Sequence, residues 1–155
     1  MKIKKTIMIT ILLSFSISLL AEEHSHHDNL QKSELQLNHG KKWSTDLPLR
    51  QGMESINRIA KENSSEIHTG KFSNESYNKM GLAMKEQTDL IFKNCKLSPA
   101  ADKELHKILI VILNSEKEFM DSAKTTNKQE AFDSLLKSLD LYDNYFQHSG
   151  WIPAQ

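Results

Sequence analysis

The stretch Asn94-Cys95-Lys96-Leu97-Ser98-Pro99-Ala100-Ala101-Asp102-Lys103-Glu104-Leu105-His106 constrains the fold more than any other part of the chain. One apolar periodic run ends at it and another begins inside it. Serine at position 98 can accept hydrogen bonds from the free N–H groups at a helix start. Proline at the next position costs nothing, because the first helical N–H has no intrahelical partner. The pattern predicts a tight turn between two helices. It carries the only cysteine, Cys95, and two turns into the second helix stands His106. In an up-and-down bundle this turn marks one pole.

Helical periodicity recurs on both sides of the turn. Helix A is predicted from about Pro48 to Ile67, with Leu49, Met53, Ile56, Ala60 and Ile67 on one face and Thr69-Gly70-Lys71 ending it. Ser73 caps helix B, whose stripe is Tyr77, Met80 or Gly81, Met84, Thr88, Ile91 and Cys95. Helix C is predicted from Pro99 to about Ala123, carrying Ala101, Leu105, Ile108, Ile112 and Phe119. Its block Ile108–Leu113 is apolar all round and therefore expected to be well buried. Helix D is predicted from about Lys128 to His148, with Phe132, Leu135, Leu139, Tyr142 and Tyr145 or Phe146 inside. Ser149-Gly150 ends it, and Trp151-Ile152-Pro153 is expected to fold back as a cap. Strand-like alternation and internal repeats are absent from the sequence after the leader. Four helices with short connectors predict an all-α, antiparallel up-and-down four-helix bundle over residues 47–155.

The residues before the bundle read differently. Met1-Lys2-Ile3-Lys4-Lys5 is a basic start, Thr6 to Leu20 is apolar, and Ala21 precedes two acids, the pattern of a secretory signal peptide over residues 1–21. The rival reading, a membrane anchor, suits the run less well because it is short and contains serines. The expected location is periplasmic or secreted, with no stable membrane anchor after cleavage. Cleavage removes three lysines and no acid from a chain of 20 basic and 20 acidic residues, leaving 134 residues with net charge −3. Such a chain has no basic face for phosphates, so nucleic acid is not an expected partner.

Residues 22–46 form a leader and approach segment. Glu22-Glu23-His24-Ser25-His26-His27-Asp28 shows no apolar periodicity and is expected to be a flexible tail. Neutral imidazole is a good ligand for Cu²⁺, Zn²⁺ and Ni²⁺, and His24, His26 and His27 offer three. Cleavage after Ala21 would also place His24 third from a free amine, giving the amine, amide and imidazole nitrogens that suit square-planar Cu²⁺ or Ni²⁺. The alternative is a solvated acidic linker whose histidines are incidental. Leu30 to His39 reads as a short helix or an extended arm stopped by Gly40, after which Trp43 packs on the bundle and Asp46 or Thr45 caps helix A.

Up-and-down order brings the start of A, the end of B, the start of C and the end of D to one pole. There the topology collects Met53, Cys95, His106 and His148, with Trp43 and Trp151 nearby. A thioether, a thiol and two imidazoles suit copper or haem iron rather than calcium or magnesium. At about 1.5 Å rise per residue, Met53 and His106 lie deeper than Cys95 and His148, so two or three of the four could share an ion. Each has a plain structural role as well. Met53 and Cys95 continue apolar stripes, His106 can be a hydrogen-bonded histidine beside Leu105, and His148 can serve the C-terminal dipole of helix D. Cys95 can alternatively cross-link two chains into a dimer.

Two resemblances extend this reading. Leu37-Asn38-His39-Gly40-Lys41-Lys42-Trp43, Thr45-Asp46, Pro48-Leu49-Arg50, Gly52-Met53, Ile67-His68, Asn94-Cys95-Lys96-Leu97, Ala101-Asp102, Leu105-His106 and Tyr145-Phe146-Gln147-His148-Ser149-Gly150-Trp151 resemble a group of secreted bacterial proteins with a His-rich leader. That resemblance implies a four-helix bundle and metal handling, and brings no biochemical activity with it. More loosely, Met53 in the first helix and His148 near the end of the last are similar to the haem-holding pair of soluble cytochrome b562. By that similarity they would be axial ligands of a non-covalent haem b, since no Cys-x-x-Cys-His is present.

The leading expectation is a non-enzymatic metal-binding protein, copper first, using His24, His26, His27, Met53, Cys95, His106 and His148. A haem b electron carrier is the next reading, and a structural or partner-binding bundle without cofactor the third. Catalysis is not expected. No nucleophile–base arrangement or Gly-rich phosphate loop stands out, and Lys103 and Tyr145 occupy the places where a Glu-x-x-His di-iron motif needs glutamate.

Overall fold

The structure, a computed structural model, describes residues 34–122 and 127–155. The expected signal peptide and His24, His26 and His27 lie outside these residues. The described chain forms four helices, α1 Leu47–His68, α2 Asn74–Asn94, α3 Pro99–Met120 and α4 Lys128–Tyr145, packed against one another. It contains two isolated bridges and no strand. None of these helices is long and apolar enough to cross a membrane.

Local chemistry sets most of the boundaries. Asp46 caps α1 by accepting from Leu49 N–H, Ser73 caps α2 through Ser76 N–H, and Ser98 caps α3 through Ala101 N–H. Each satisfies one N–H that the first turn leaves free. Before α1, Asn38 and Lys41 exchange two backbone hydrogen bonds of 2.8 and 3.0 Å around His39 and Gly40. Both central residues have positive φ, 49° and 80°, as the tightest reversals require.

The helices run antiparallel to their sequence neighbours. Gly52 near the start of α1 lies against Ile91 near the end of α2, and Gly81 of α2 lies against Phe119 and Met120 at the end of α3. Ser115 Oγ of α3 donates to Ala131 O near the start of α4 at 2.8 Å. All the stripe residues expected on α1, α3 and α4 are buried, as are Tyr77, Met80, Gly81, Met84, Thr88 and Ile91 of α2. Of the alternatives left open at the end of α4, Phe146 is buried and Tyr145 half-buried.

Three expectations are corrected. The block Ile108–Leu113 is not buried all round, because Ile110 points away from α2 and α4 and is 55 % exposed. Helix α3 stops at Met120 rather than near Ala123. Its last-turn carbonyls are taken from outside, Phe119 O by Lys128 Nζ at 3.1 Å and Met120 O by Asn78 Nδ2 at 3.4 Å. Helix α4 stops at Tyr145 rather than His148, because the approach segment captures its end. Trp43 N–H donates to Tyr145 O at 2.7 Å and Gln147 N–H donates to Trp43 O at 2.8 Å, drawing Phe146 into an extended conformation.

Beyond Phe146 the chain turns back and runs along α1. Of the sequentially adjacent pairs and the closing pair, α1 and α4 touch each other least. The tail lies along this seam. Asn57 on α1 donates to Ile152 O at 2.8 Å and accepts from Ala154 N–H at 2.7 Å, and Ser64 Oγ donates to Gln155 O at 2.8 Å. Trp151-Ile152-Pro153 does fold back, but as part of a strap along α1.

Candidate functional site

One pole gathers the approach segment, the first turns of α1 and α3, the ends of α2 and α4, and the start of the strap. Asp46 holds three of these together. Its Oδ1 accepts from Leu49 N–H at 2.9 Å, and its Oδ2 accepts from Lys96 N–H at 2.6 Å. Burial disfavours the charged form, but these N–H groups and the Cys95 thiol outweigh it and hold the Asp46 carboxyl below its usual range. Arg50 Nη1 donates to Thr45 O at 2.9 Å, and Thr45 Oγ1 donates to Gln147 O at 2.6 Å, fixing the approach segment against the end of α4.

The four candidate donors end up in different surroundings. Met53 is fully buried in the core. Cys95 is the half-buried C-cap of α2. Burial, with the adjacent Asp46 carboxylate second, pushes its thiol up to about 12. It therefore remains protonated at neutral pH, and the thiol rather than the ligating thiolate is the resting form. His106 is half exposed, with Nδ1 2.8 Å from Asp102 O and its ring 6.0 Å from that of Phe92. Its polar and ring contacts are thus on α2 and α3, away from His148.

His148 is the most enclosed histidine of the described chain, its side chain only 2 % exposed. Nε2 lies 2.8 Å from Glu54 Oε1 and Nδ1 lies 3.1 Å from Tyr142 Oη. An ionised carboxylate only accepts, so Nε2 carries the proton and donates to Glu54. In the neutral ring Nδ1 then accepts from the Tyr142 hydroxyl. Burial raises the Tyr142 hydroxyl's pKa, which keeps that donor in place. Trp151 closes the group, 5.0 Å from the His148 ring and 4.8 Å from that of Tyr142. Its buried Nε1 has no acceptor among the described residues.

Glu54 and Asn57 were not legible as site residues. Both lie on the polar flank of the α1 stripe, and nothing local marks them as partners of a tail more than ninety residues away. Tyr142 carried a usable signal, since a tyrosine on a buried stripe must find a partner for its hydroxyl.

Chemically, the group is a carboxylate–imidazole–phenol chain with both ring nitrogens engaged. A metal or haem iron at His148 would have to take the place of Glu54 or Tyr142. Among the described residues no three His, Cys, Asp or Glu side chains are grouped as a metal cluster. Among the described residues a cleft of about 570 Å³ opens between α1 and α2 beside Arg58, Phe72 and Met80, and another of about 290 Å³ opens between Trp43 and Leu97. Neither is lined by Met53, Cys95, His106 or His148.

The leader's last described residues are tied to the same end of the bundle. Gln36 N–H donates to Glu104 Oε2 at 2.9 Å, Lys107 Nζ donates to Glu34 O at 2.9 Å, and Trp43 Nε1 donates to Gln36 O at 2.6 Å. Comparison of the chain with protein-family models, with curated proteins and with solved structures gives no match.

Proposed function

We propose that the protein is a periplasmic or secreted metal-binding protein, copper first, that captures its ion rather than catalysing a reaction. The observation that carries this reading is the run His24-Ser25-His26-His27, three imidazoles flanked by Glu22, Glu23 and Asp28. The anchoring of Glu34 and Gln36 on α3 supports it. That contact begins only seven residues after His27 in the sequence.

At the pole, His148 and Glu54 are the best-placed donors, and Tyr142 would orient the imidazole from its other nitrogen. Met53 would be reached only by a rearrangement of the core, Cys95 is held as the protonated thiol beside Asp46, and His106 stands apart. On this reading the leader is the principal capture site, and the bundle, of the cytochrome b562/c′ type, is its carrier. Equilibrium dialysis of the mature protein against Cu²⁺ tests it. H24A/H26A/H27A should lose most of the bound copper, and E54Q/H148A should lose little. Retention by H24A/H26A/H27A with loss in E54Q/H148A would move the site to the pole. Loss in neither variant would remove the reading.

The second reading is a non-covalent haem b carrier with Met53 and His148 as axial ligands. It rests on the burial of both side chains. It also requires His148 to surrender one of its two hydrogen bonds. A Soret band in protein from haem-replete cells would favour it.

A further inference from the structure

Three oxygens surround one hydroxyl at the α2/α3 seam. Thr88 Oγ1 lies 3.0 Å from Lys85 O, 3.4 Å from Met84 O and 3.0 Å from Glu116 Oε1. Thr88 is fully buried and Glu116 is 2 % exposed. A threonine hydroxyl has one proton to give and can itself accept.

That single proton separates the two forms of the acid. An ionised Glu116 can only accept, and the one hydrogen-bond donor it meets among the described residues is Thr88 Oγ1. One neutral donor is little for a charge taken out of water. Giving it the Thr88 proton also takes that proton from Lys85 O. The protonated acid meets no such conflict, because Glu116 donates to Thr88 Oγ1 and Thr88 donates to Lys85 O. Burial pushes this carboxyl up to about 7, so the two forms meet near neutral pH.

The charged groups that face Glu116 are Lys85 and Asp89, both of α2. Among the described residues α1, α3 and α4 present no further charge to it. Lys85 Nζ stands 2.6 Å from Asp89 Oδ2, and both side chains are exposed. The pair is therefore free to part when a second carboxylate forms beside it.

We propose that Glu116 is a proton-operated switch between α2 and α3. As the acid it donates to Thr88, and Thr88 donates to Lys85 O. When the proton leaves to solvent, the Thr88 hydroxyl turns to the carboxylate and Lys85 moves from Asp89 to Glu116.

Infrared spectra of the protein across the neutral pH range test both halves. At about pH 6 ordinary carboxyls are ionised. One protonated-carboxyl band should remain there, fade with a midpoint of about 7, and be missing in Glu116→Gln. Lys85→Gln should raise the midpoint by about one pH unit. Asp89→Asn should lower it further in the parent than in the Lys85→Gln background, because only the parent has a lysine to set free. Both of these positions are exposed, so neither change disturbs the core. No band at about pH 6, or one that survives in Glu116→Gln, overturns the acid form. An unmoved midpoint in Lys85→Gln, or equal effects of Asp89→Asn in the two backgrounds, overturns the movement of Lys85.

Discussion

His148 Nε2 stands 2.8 Å from Glu54 Oε1, so the chain beyond α4 is latched to the second turn of α1, 94 residues away. The two ends of the latch are unequal. The His148 side chain is 2 % exposed and Glu54 is 63 % exposed. Glu54→Gln should cost less than about 1 kcal/mol, as for other exposed pairs. His148→Ala should cost about 2–3 kcal/mol, because it also leaves the buried Tyr142 hydroxyl without a partner. Urea unfolding of the two variants checks the asymmetry, and equal losses would sink it.

Asp46 joins the start of α1 to the end of α2. Asp46→Ala removes a helix cap and a charge-assisted bond to Lys96 N–H, with an expected loss of about 2–3 kcal/mol. The same change removes the negative charge beside Cys95. Its pKa should then fall from about 12, and alkylation at pH 8 should quicken several-fold. An unchanged alkylation rate would show that burial alone protects the thiol.

Glu116 is 2 % exposed, in contact with Thr88 Oγ1 at 3.0 Å between α2 and α3. Burial pushes its pKa up to about 7, helped by Asp89 and opposed by the Thr88 hydroxyl and Lys85. A carboxyl whose pKa is higher when folded binds more protons in the native state between these two values. Its stabilising contribution is full below about pH 4.5 and is lost as pH rises through about 7, on the order of 3 kcal/mol in all. Glu116→Gln should flatten this fall and be more stable than the parent at pH 8. Asp46 acts with the opposite sign, its contribution present above the ordinary carboxylate value and lost as pH falls.

A methyl group at Gly81 would meet Met120 Cγ at 2.9 Å, Phe119 Cβ at 3.1 Å and Glu116 O at 3.2 Å. The methionine can move, but the Cβ and the carbonyl oxygen are fixed to the α3 backbone. Gly81→Ala should therefore destabilise by about 1–3 kcal/mol despite the gain in helix propensity. Thermal unfolding checks it, and a raised midpoint would mean that α2 and α3 part more easily than their packing implies.

The bundle was legible where local chemistry decides the conformation. Ser73, Ser98 and Pro99 announce their helix starts, and the apolar stripes mark the faces that bury. Glu104, Glu116 and Lys128 are buried although their type argues for exposure. Register held the better signal, since Glu116 follows Ile112 by four and precedes Phe119 by three, and Lys128 precedes Phe132 by four. What no local pattern carried was the pairing of distant segments. The capture of α4 by Trp43, the Asp46 bridge to Lys96 and the strap on Asn57 and Ser64 all depend on which elements become neighbours. The pole itself followed from helix order. The separate surroundings of Met53, Cys95, His106 and His148 follow from how each helix is rotated.

Copper capture by the leader is tested most directly by the electron paramagnetic resonance spectrum of the mature protein with one equivalent of Cu²⁺. Imidazole nitrogens should split the signal, the splitting should vanish in H24A/H26A/H27A, and it should persist in H148A. A spectrum that is the same in H24A/H26A/H27A as in the parent protein, or one that matches unbound copper, would contradict the assignment of the leader as the capture site.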